Sequence, residues 1–170
     1  MVSVVRLEPD HLIEIPVQSS QRLTLGISRD VSREEAEELA DEAEAWSIFA
    51  QGRLIACFGI RETFPRKQGV AWAVLADGIG AAHLTMTRFA ASRIAKSNLC
   101  RIEAIVRADD VEPVLAGFGA LDAQQLVEVA MATPTPECIW AKLVGLKPAH
   151  VLRKFGASGE TCMLFERLSV

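Results

Sequence analysis

The sequence predicts an α/β domain, more strictly α+β, in which helices flank a mixed central sheet. Three observations support this fold class. Strand-like runs separated by short turns occupy the stretch from Trp46 to Ala76, and a strand–turn–helix–strand order extends from Val70 to Val106. Two further strand-like runs close the chain. Together they predict antiparallel N-terminal strands, a parallel βαβ unit and a C-terminal hairpin.

The strands are predicted from runs rich in β-branched, aromatic and other apolar residues. Gln51-Gly52 lies between two of these runs, which is typical of a hairpin turn. The run that ends at Ala76 is apolar on both faces and is therefore expected at the centre of the sheet. The predicted strands before the C-terminal hairpin are Ser3–Leu7, Trp46–Ala50, Leu54–Ile60, Val70–Ala76 and Arg101–Val106.

The helices are predicted from capping patterns and from apolar residues at helical spacing. Helix starts are marked by Ser32 with Glu35, by Asp122 with Gln125, and by Thr135 with Pro136. Gly145 is placed to end the last helix, because glycine adopts the left-handed conformation that closes many helices. No repeat or linker interrupts the chain, so a single domain over residues 1–170 is expected.

Composition excludes several classes of protein. A net charge of −4 and a pI near 5.4 argue against unspecific nucleic-acid binding, which needs a basic face. No apolar run approaches the roughly 20 residues of a membrane span, and no basic-then-apolar leader is seen. The four cysteines are far apart in sequence and form no CxxC pair. We therefore expect a cytoplasmic protein with reduced thiols, no metal site, no nucleic-acid partner and no membrane partner.

The stretch "ADGIGAAHLTM" carries the main functional signal. Gly78 and Gly80 follow an apolar strand and open a helix, an arrangement whose backbone N–H groups can hold a phosphate. Asp77 allows another interpretation, because an aspartate at this point can cap the helix and accept the same N–H groups. Its carboxylate would also repel a pyrophosphate, by roughly 1–4 kcal/mol at about 4 Å. Both interpretations remain open at this stage.

This turn, "GIGAAHL", and the tail "WAKLVGLKPAHVLRKFGASGETCMLFERL" resemble the GNAT acyltransferase superfamily, and the tail is similar to GNAT-like proteins of phages and prophages. The resemblance implies acetyl-CoA as cofactor, with its pyrophosphate on the turn. It also implies that the parallel strands splay apart and expose a backbone N–H to the thioester carbonyl. The residues that would bind the cofactor are Leu75, at the usual Gln/Arg position, with Gly78, Ile79, Gly80 and Ala81.

The catalytic groups implied by the resemblance are a base for the amine and an acid for the leaving thiolate. Glu103 and Glu62 are the candidates for the base, although an ion pair with Arg101 or Arg61 also explains Glu103. The family often uses a tyrosine as the acid, but this chain contains none. Cys162 or Ser158 would have to take that role.

Two functions therefore follow as expectations. One is an acetyl-CoA-dependent N-acyltransferase whose acceptor, a small-molecule or protein amine, is unidentified. The other is a non-catalytic phage or prophage protein with a degenerate CoA site that acts in virion assembly or host interaction. A helical segment inserted around residues 111–134 would either cover the acceptor groove or form a homodimer contact.

Overall fold

A mixed sheet forms the centre of the protein. The computed structural model describes residues 1–19, 21, 31–155 and 159–169, except for the side chain of Phe118. The strands are β1 Val2–Arg6, β2 Glu44–Ala50, β3 Arg53–Phe64, β4 Gln68–Leu75, β5 Arg101–Arg107, β6 Lys147–Phe155 and β7 Glu160–Leu168. They form one seven-stranded sheet in the order β1-β2-β3-β4-β5-β7-β6. Only β4 and β5 pair in parallel, so the predicted fold class is confirmed.

Helices cover both faces of this sheet. Within the described residues they are α1 Pro9–Glu14, α2 Arg33–Ala40, α3 Ala82–Lys96, α4 Glu112–Phe118, α5 Ala123–Ala132 and α6 Pro136–Leu143. Three predicted caps are present: the side chains of Ser32, Asp122 and Thr135 accept the N–H groups of Glu35, Gln125 and Cys138. Each such cap contributes about 1 kcal/mol. None of the described helices is long and apolar enough to span a membrane.

The last helix ends as its glycine predicts. Gly145 has a φ of +98°. Its N–H donates to the carbonyl of Lys142, and the N–H of Leu146 donates to the carbonyl of Ala141. This pair of bonds satisfies carbonyls that the helix end would otherwise leave unpaired. The chain is thereby turned directly into β6.

Two hydrophobic clusters hold the helices to the sheet. The larger one buries Met86 of α3 and Ala141 of α6 against strand residues such as Ile102 and Phe165. The smaller one packs α1 and α2 on the sheet through residues that include Leu12. Because Phe165 is fully buried, truncating it to alanine would cost about 3–5 kcal/mol.

The segment 111–134 folds into two helices. The predicted helix after Asp122 is α5, whereas α4 was not predicted, because it is short and contains Gly117, a poor helix former. Arg153 of β6 fixes α4 by donating two hydrogen bonds of 2.7 Å to the carboxylate of Glu112. The segment therefore packs beside the edge strand β6.

Candidate functional site

A gap opens between β4 and β5 at the centre of the sheet. The two strands pair only from Gln68 with Arg101 to Val70 with Glu103. Beyond these residues β4 continues to Leu75 and β5 continues to Arg107 without pairing to each other. The splay that the resemblance implied is present.

The backbone of β4 presents polar groups to this gap. Ala76 donates its N–H to Ile55 of β3, so the backbone groups of Leu75, one residue earlier, point to the opposite side. By the same alternation the groups of Ala73 also face the gap. These backbone groups of β4 need hydrogen-bond partners, because leaving a buried backbone N–H or carbonyl unpaired costs free energy.

A cavity of about 940 Å³ surrounds the gap. Its lining includes β4 and β5 on either side of the gap, His83 and Trp140 on one face of the sheet, and Leu12 and Val31 on the other. Since helices on both faces contribute to one cavity, the open space passes through the sheet. Two ligands that enter from opposite faces could therefore meet between the strands.

The glycine turn lies at the end of β4, and Leu75 and Ile79 line the cavity from it. Gly78 and Gly80 have φ values of +69° and +56°, which favour glycine. The N-cap of α3 is Ala81, and no described side chain caps the helix. The N–H groups at the helix start therefore have no competing carboxylate.

The interpretation of Asp77 as the cap of α3 was wrong. The glycine turn places Asp77 four positions before the N-cap, and its side chain is exposed to solvent. A capping side chain must lie at the N-cap itself to reach the second or third N–H of the helix.

Arg53 supplies a basic group beside the turn. Its guanidinium donates hydrogen bonds of 2.8 Å and 3.2 Å to the carbonyl oxygens of Asp77 and Gly78. The β2–β3 hairpin delivers this residue from a distant part of the chain. A basic side chain, which the position of Leu75 does not supply, thus reaches the turn from a neighbouring strand. Sequence reasoning did not find Arg53, because its place beside the turn depends on the register in which β3 pairs with β4.

Neither carboxylate predicted as the base lines the cavity. Glu103 lies in the paired part of β5, where Arg101 approaches it to 2.7 Å and Gln68 donates to it at 3.0 Å. The ion pair with Arg101 is thus formed. Glu62 is exposed and accepts the backbone N–H of Arg66 at 2.8 Å in the β3–β4 turn. Their contacts give both residues structural roles.

Two other carboxylates line the cavity, and they differ in their partners. Burial acts to raise the pKa of Glu44, but hydrogen bonds from Arg93 and Trp46 hold that pKa below its ordinary value. Glu137, in the first turn of α6, has a buried Oε2 without a hydrogen-bond partner among the described residues. Among the described residues, Glu137 thus has a carboxylate oxygen left for a group that enters the cavity. Sequence reasoning missed Glu137, because its position in the first turn of a helix does not reveal that the helix packs beside the gap.

Cys162 also lines the cavity, from β7. Burial raises the pKa of its thiol, and Glu160 and Cys138 act in the same direction. The thiol therefore carries its proton at neutral pH. Ser158, the other predicted acid, lies outside the described residues. The described residues contain no group of three His, Cys, Asp or Glu side chains arranged to hold a metal ion.

No protein-family model and no curated protein matches this chain. Solved structures do. A GNAT-family acetyltransferase from Bacillus anthracis is 11% identical, with 98% of this chain and 94% of that one covered and a TM-score of 0.60. The aminoglycoside 6'-N-acetyltransferase from Enterococcus faecium is 16% identical, with 99% and 96% covered and a TM-score of 0.59.

A third similar structure carries a ligand. The GphF GNAT-like decarboxylase in complex with isobutyryl-CoA is 10% identical, with 99% of this chain and 98% of that one covered and a TM-score of 0.64. At these identities the comparisons establish the fold alone. They do not assign a reaction to this chain, since two of the three proteins are named acetyltransferases and the third is named a decarboxylase. The chain has the GNAT fold.

Proposed function

We propose that the protein binds acetyl-CoA and transfers the acyl group to an amine. The observation that carries the proposal is the single cavity that joins the glycine turn to the gap between β4 and β5. An anion at the turn and a thioester in the gap would be parts of one bound molecule. The amine would enter from the opposite face of the sheet.

The pyrophosphate of the cofactor would sit on the N–H groups from Gly78 to Ala81, at the positive end of α3. An anion at a helix start gains about 0.3–1 kcal/mol from the helix dipole. Arg53 adds a full positive charge next to the same turn. It offsets the exposed carboxylate of Asp77, whose interaction with an anion is screened by solvent.

The thioester would place its carbonyl oxygen at the edge of β4, where a backbone N–H polarises it. Glu137 would take a proton from the amine, whose nitrogen then forms the new bond to the acyl carbon. The carbon–sulfur bond breaks, and the thiol of Cys162 protonates the departing thiolate. Glu137 returns its proton to Cys162 through solvent, which closes the cycle.

The direct test is acetyl-CoA binding by calorimetry, followed by release of free CoA thiol in the presence of a panel of amines. We expect a dissociation constant between about 1 μM and 1 mM, the range common for enzyme substrates. Thiol release should depend on the amine. An absence of binding both in wild type and in a Gln21→Ala variant would overturn the proposal.

One observation favours a second candidate, a non-catalytic module with the same fold. The edge of β4 along which the CoA arm would run is occupied by the side chain of Gln21. The absence of tyrosine and the presence of Leu75 at the turn agree with this candidate. Its setting would be virion assembly or host interaction in a phage or prophage. Binding of acetyl-CoA without transfer to any amine would favour it.

A further inference from the structure

The chain after α1 lies along the open edge of β4. Val17 forms an isolated antiparallel bridge with Ala76, and the N–H of Gln18 donates to the carbonyl of Leu75 at 2.9 Å. Gln18 and Gln21 both line the cavity. The segment thus brings two glutamines to the gap that separates β4 from β5.

The side-chain amide of Gln21 is bound as a peptide group of a neighbouring strand would be. Its Oε1 accepts the N–H of Leu75 at 2.6 Å, and its Nε2 donates to the carbonyl of Ala73 at 3.0 Å. One acceptor and one donor thus satisfy two groups of the same strand edge. We call these two backbone groups, the N–H of Leu75 and the carbonyl of Ala73, the amide slot. In this structure the side chain of Gln21 occupies the amide slot.

A secondary amide has the same pair of groups, one carbonyl and one N–H. The arm of CoA that carries the thiol contains secondary amides. If the pyrophosphate lies at the glycine turn, this arm must run along β4 into the gap. It would meet Gln21 there, because one N–H cannot serve both amides.

We propose that Gln21 is a plug that occupies the amide slot of β4 in the free protein and must leave when the CoA arm binds. The inference rests on the proposed function. It makes Gln21 a competitor of the cofactor and a residue that sets its affinity. The plug gives up two hydrogen bonds when it leaves, so its removal should tighten binding by roughly ten-fold.

The test uses the full chain with two probes, CoA and pantetheine, the second of which lacks the nucleotide and reports on the slot alone. Calorimetry compares wild type with Gln21→Ala. Gln124→Ala is the matched control, because Gln124 is an exposed glutamine of α5 whose side chain donates to Glu128 away from the cavity. We expect Gln21→Ala to bind both probes about ten-fold more tightly. Gln124→Ala should bind them as wild type does.

Amide hydrogen exchange at Leu75 provides a readout that needs no ligand. The Gln21→Ala variant should exchange this amide faster than wild type does. Gln21→Glu should lie between wild type and Gln21→Ala in pantetheine affinity, because a carboxylate can accept the N–H of Leu75 but cannot donate to the carbonyl of Ala73. Circular dichroism establishes that each variant is folded.

The outcomes separate the two proposals. Tighter binding by Gln21→Ala with unchanged Gln124→Ala supports both the plug and the proposed CoA site. If wild type binds CoA and Gln21→Ala binds it equally or less tightly, the plug is refuted and the proposed CoA site stands. If no variant binds either probe, both fail.

Discussion

The guanidinium of Arg53 lies 2.8 Å from the carbonyl oxygen of Asp77, so the first residue of β3 fastens the turn that follows β4. This contact ties the β2–β3 hairpin to the start of α3. It also places a positive charge where the sequence next to the turn offers a negative one. The same contact therefore both holds the turn and favours an anion there.

Replacing Arg53 by alanine should weaken acetyl-CoA binding by about five- to ten-fold, which corresponds to the roughly 1–1.4 kcal/mol of a partly exposed charge contact. Calorimetric titration measures the change. Arg88→Ala is the control, since Arg88 is an exposed cation on α3, the helix that follows the turn, and lies away from the turn itself. Equal losses in the two variants would show a general charge effect instead of a site at the turn.

Glu137→Gln should lower the rate of amine-dependent thiol release by about 100-fold, the smaller end of what a general base contributes. The affinity for CoA should change little, because the carboxylate acts on the amine. Glu62→Gln and Glu103→Gln are matched controls and should retain activity. A loss in either of them as large as in Glu137→Gln would restore that residue as the base.

Glu44 makes the free energy of unfolding depend on pH in the acid range. Although burial opposes it, the hydrogen bond from Arg93 keeps the pKa of Glu44 below 4.5 in the folded protein. As the pH falls through 4.5, the unfolded chain takes up a proton first, so the pair's stabilisation declines and is lost below the folded pKa. Urea unfolding at pH 7 and pH 3 should therefore show a large difference between wild type and Glu44→Gln only at pH 7. In Glu38→Gln, which removes the surface pair with Arg61, the loss at pH 7 should be smaller.

The N-cap of α6 is joined to the end of β5. Thr135 accepts the N–H of Cys138 at 3.2 Å and donates its hydroxyl to the carbonyl of Arg107 at 2.7 Å. We expect Thr135→Ala to reduce the free energy of unfolding by about 1–2 kcal/mol. Thr135→Ser, which keeps the hydroxyl, should retain most of this free energy. Substitution of the exposed Thr133 by alanine should leave the free energy of unfolding unchanged. Full loss in the serine variant would assign the effect to the methyl group.

The thiols should differ sharply in reactivity. Burial raises the pKa of Cys57 to about 12, although the hydrogen bond with Ser47 acts in the opposite direction. Cys100 is exposed, whereas the other three cysteines are buried. Iodoacetamide at pH 8 should thus label one thiol in the native protein and four in urea. Persistence of native labelling in Cys100→Ser would contradict this burial.

Local signals made much of the fold predictable. The caps at Ser32, Asp122 and Thr135 depend on residues three positions away, and Gly145 depends on its own backbone angle. Such signals depend only on residues that are close together in the sequence. The mixed sheet followed from the βαβ order, because a connection through a helix makes the two strands parallel.

The side chains that we propose for function could not be found in this way. Arg53 reaches the turn only through the register of β3 on β4, and Gln21 reaches the gap only through the path of the chain after α1. Glu137 faces the cavity because of how α6 packs on the sheet. Each of these placements depends on contacts between distant segments. Reasoning from neighbouring residues therefore selected Glu103 and Glu62 as candidates for the base instead.

The brief pairing between β4 and β5 also bears on how the molecule is assembled. The strands on one side of this seam come from residues 2–75, and those on the other side come from residues 101–168. The strands on each side of the seam can thus pair with one another independently, because each set comes from one continuous stretch of chain. We expect the three parallel residue pairs at the seam to be the last part of the sheet to close. A chain cut between α3 and β5 should then yield two fragments that reassociate into a folded whole.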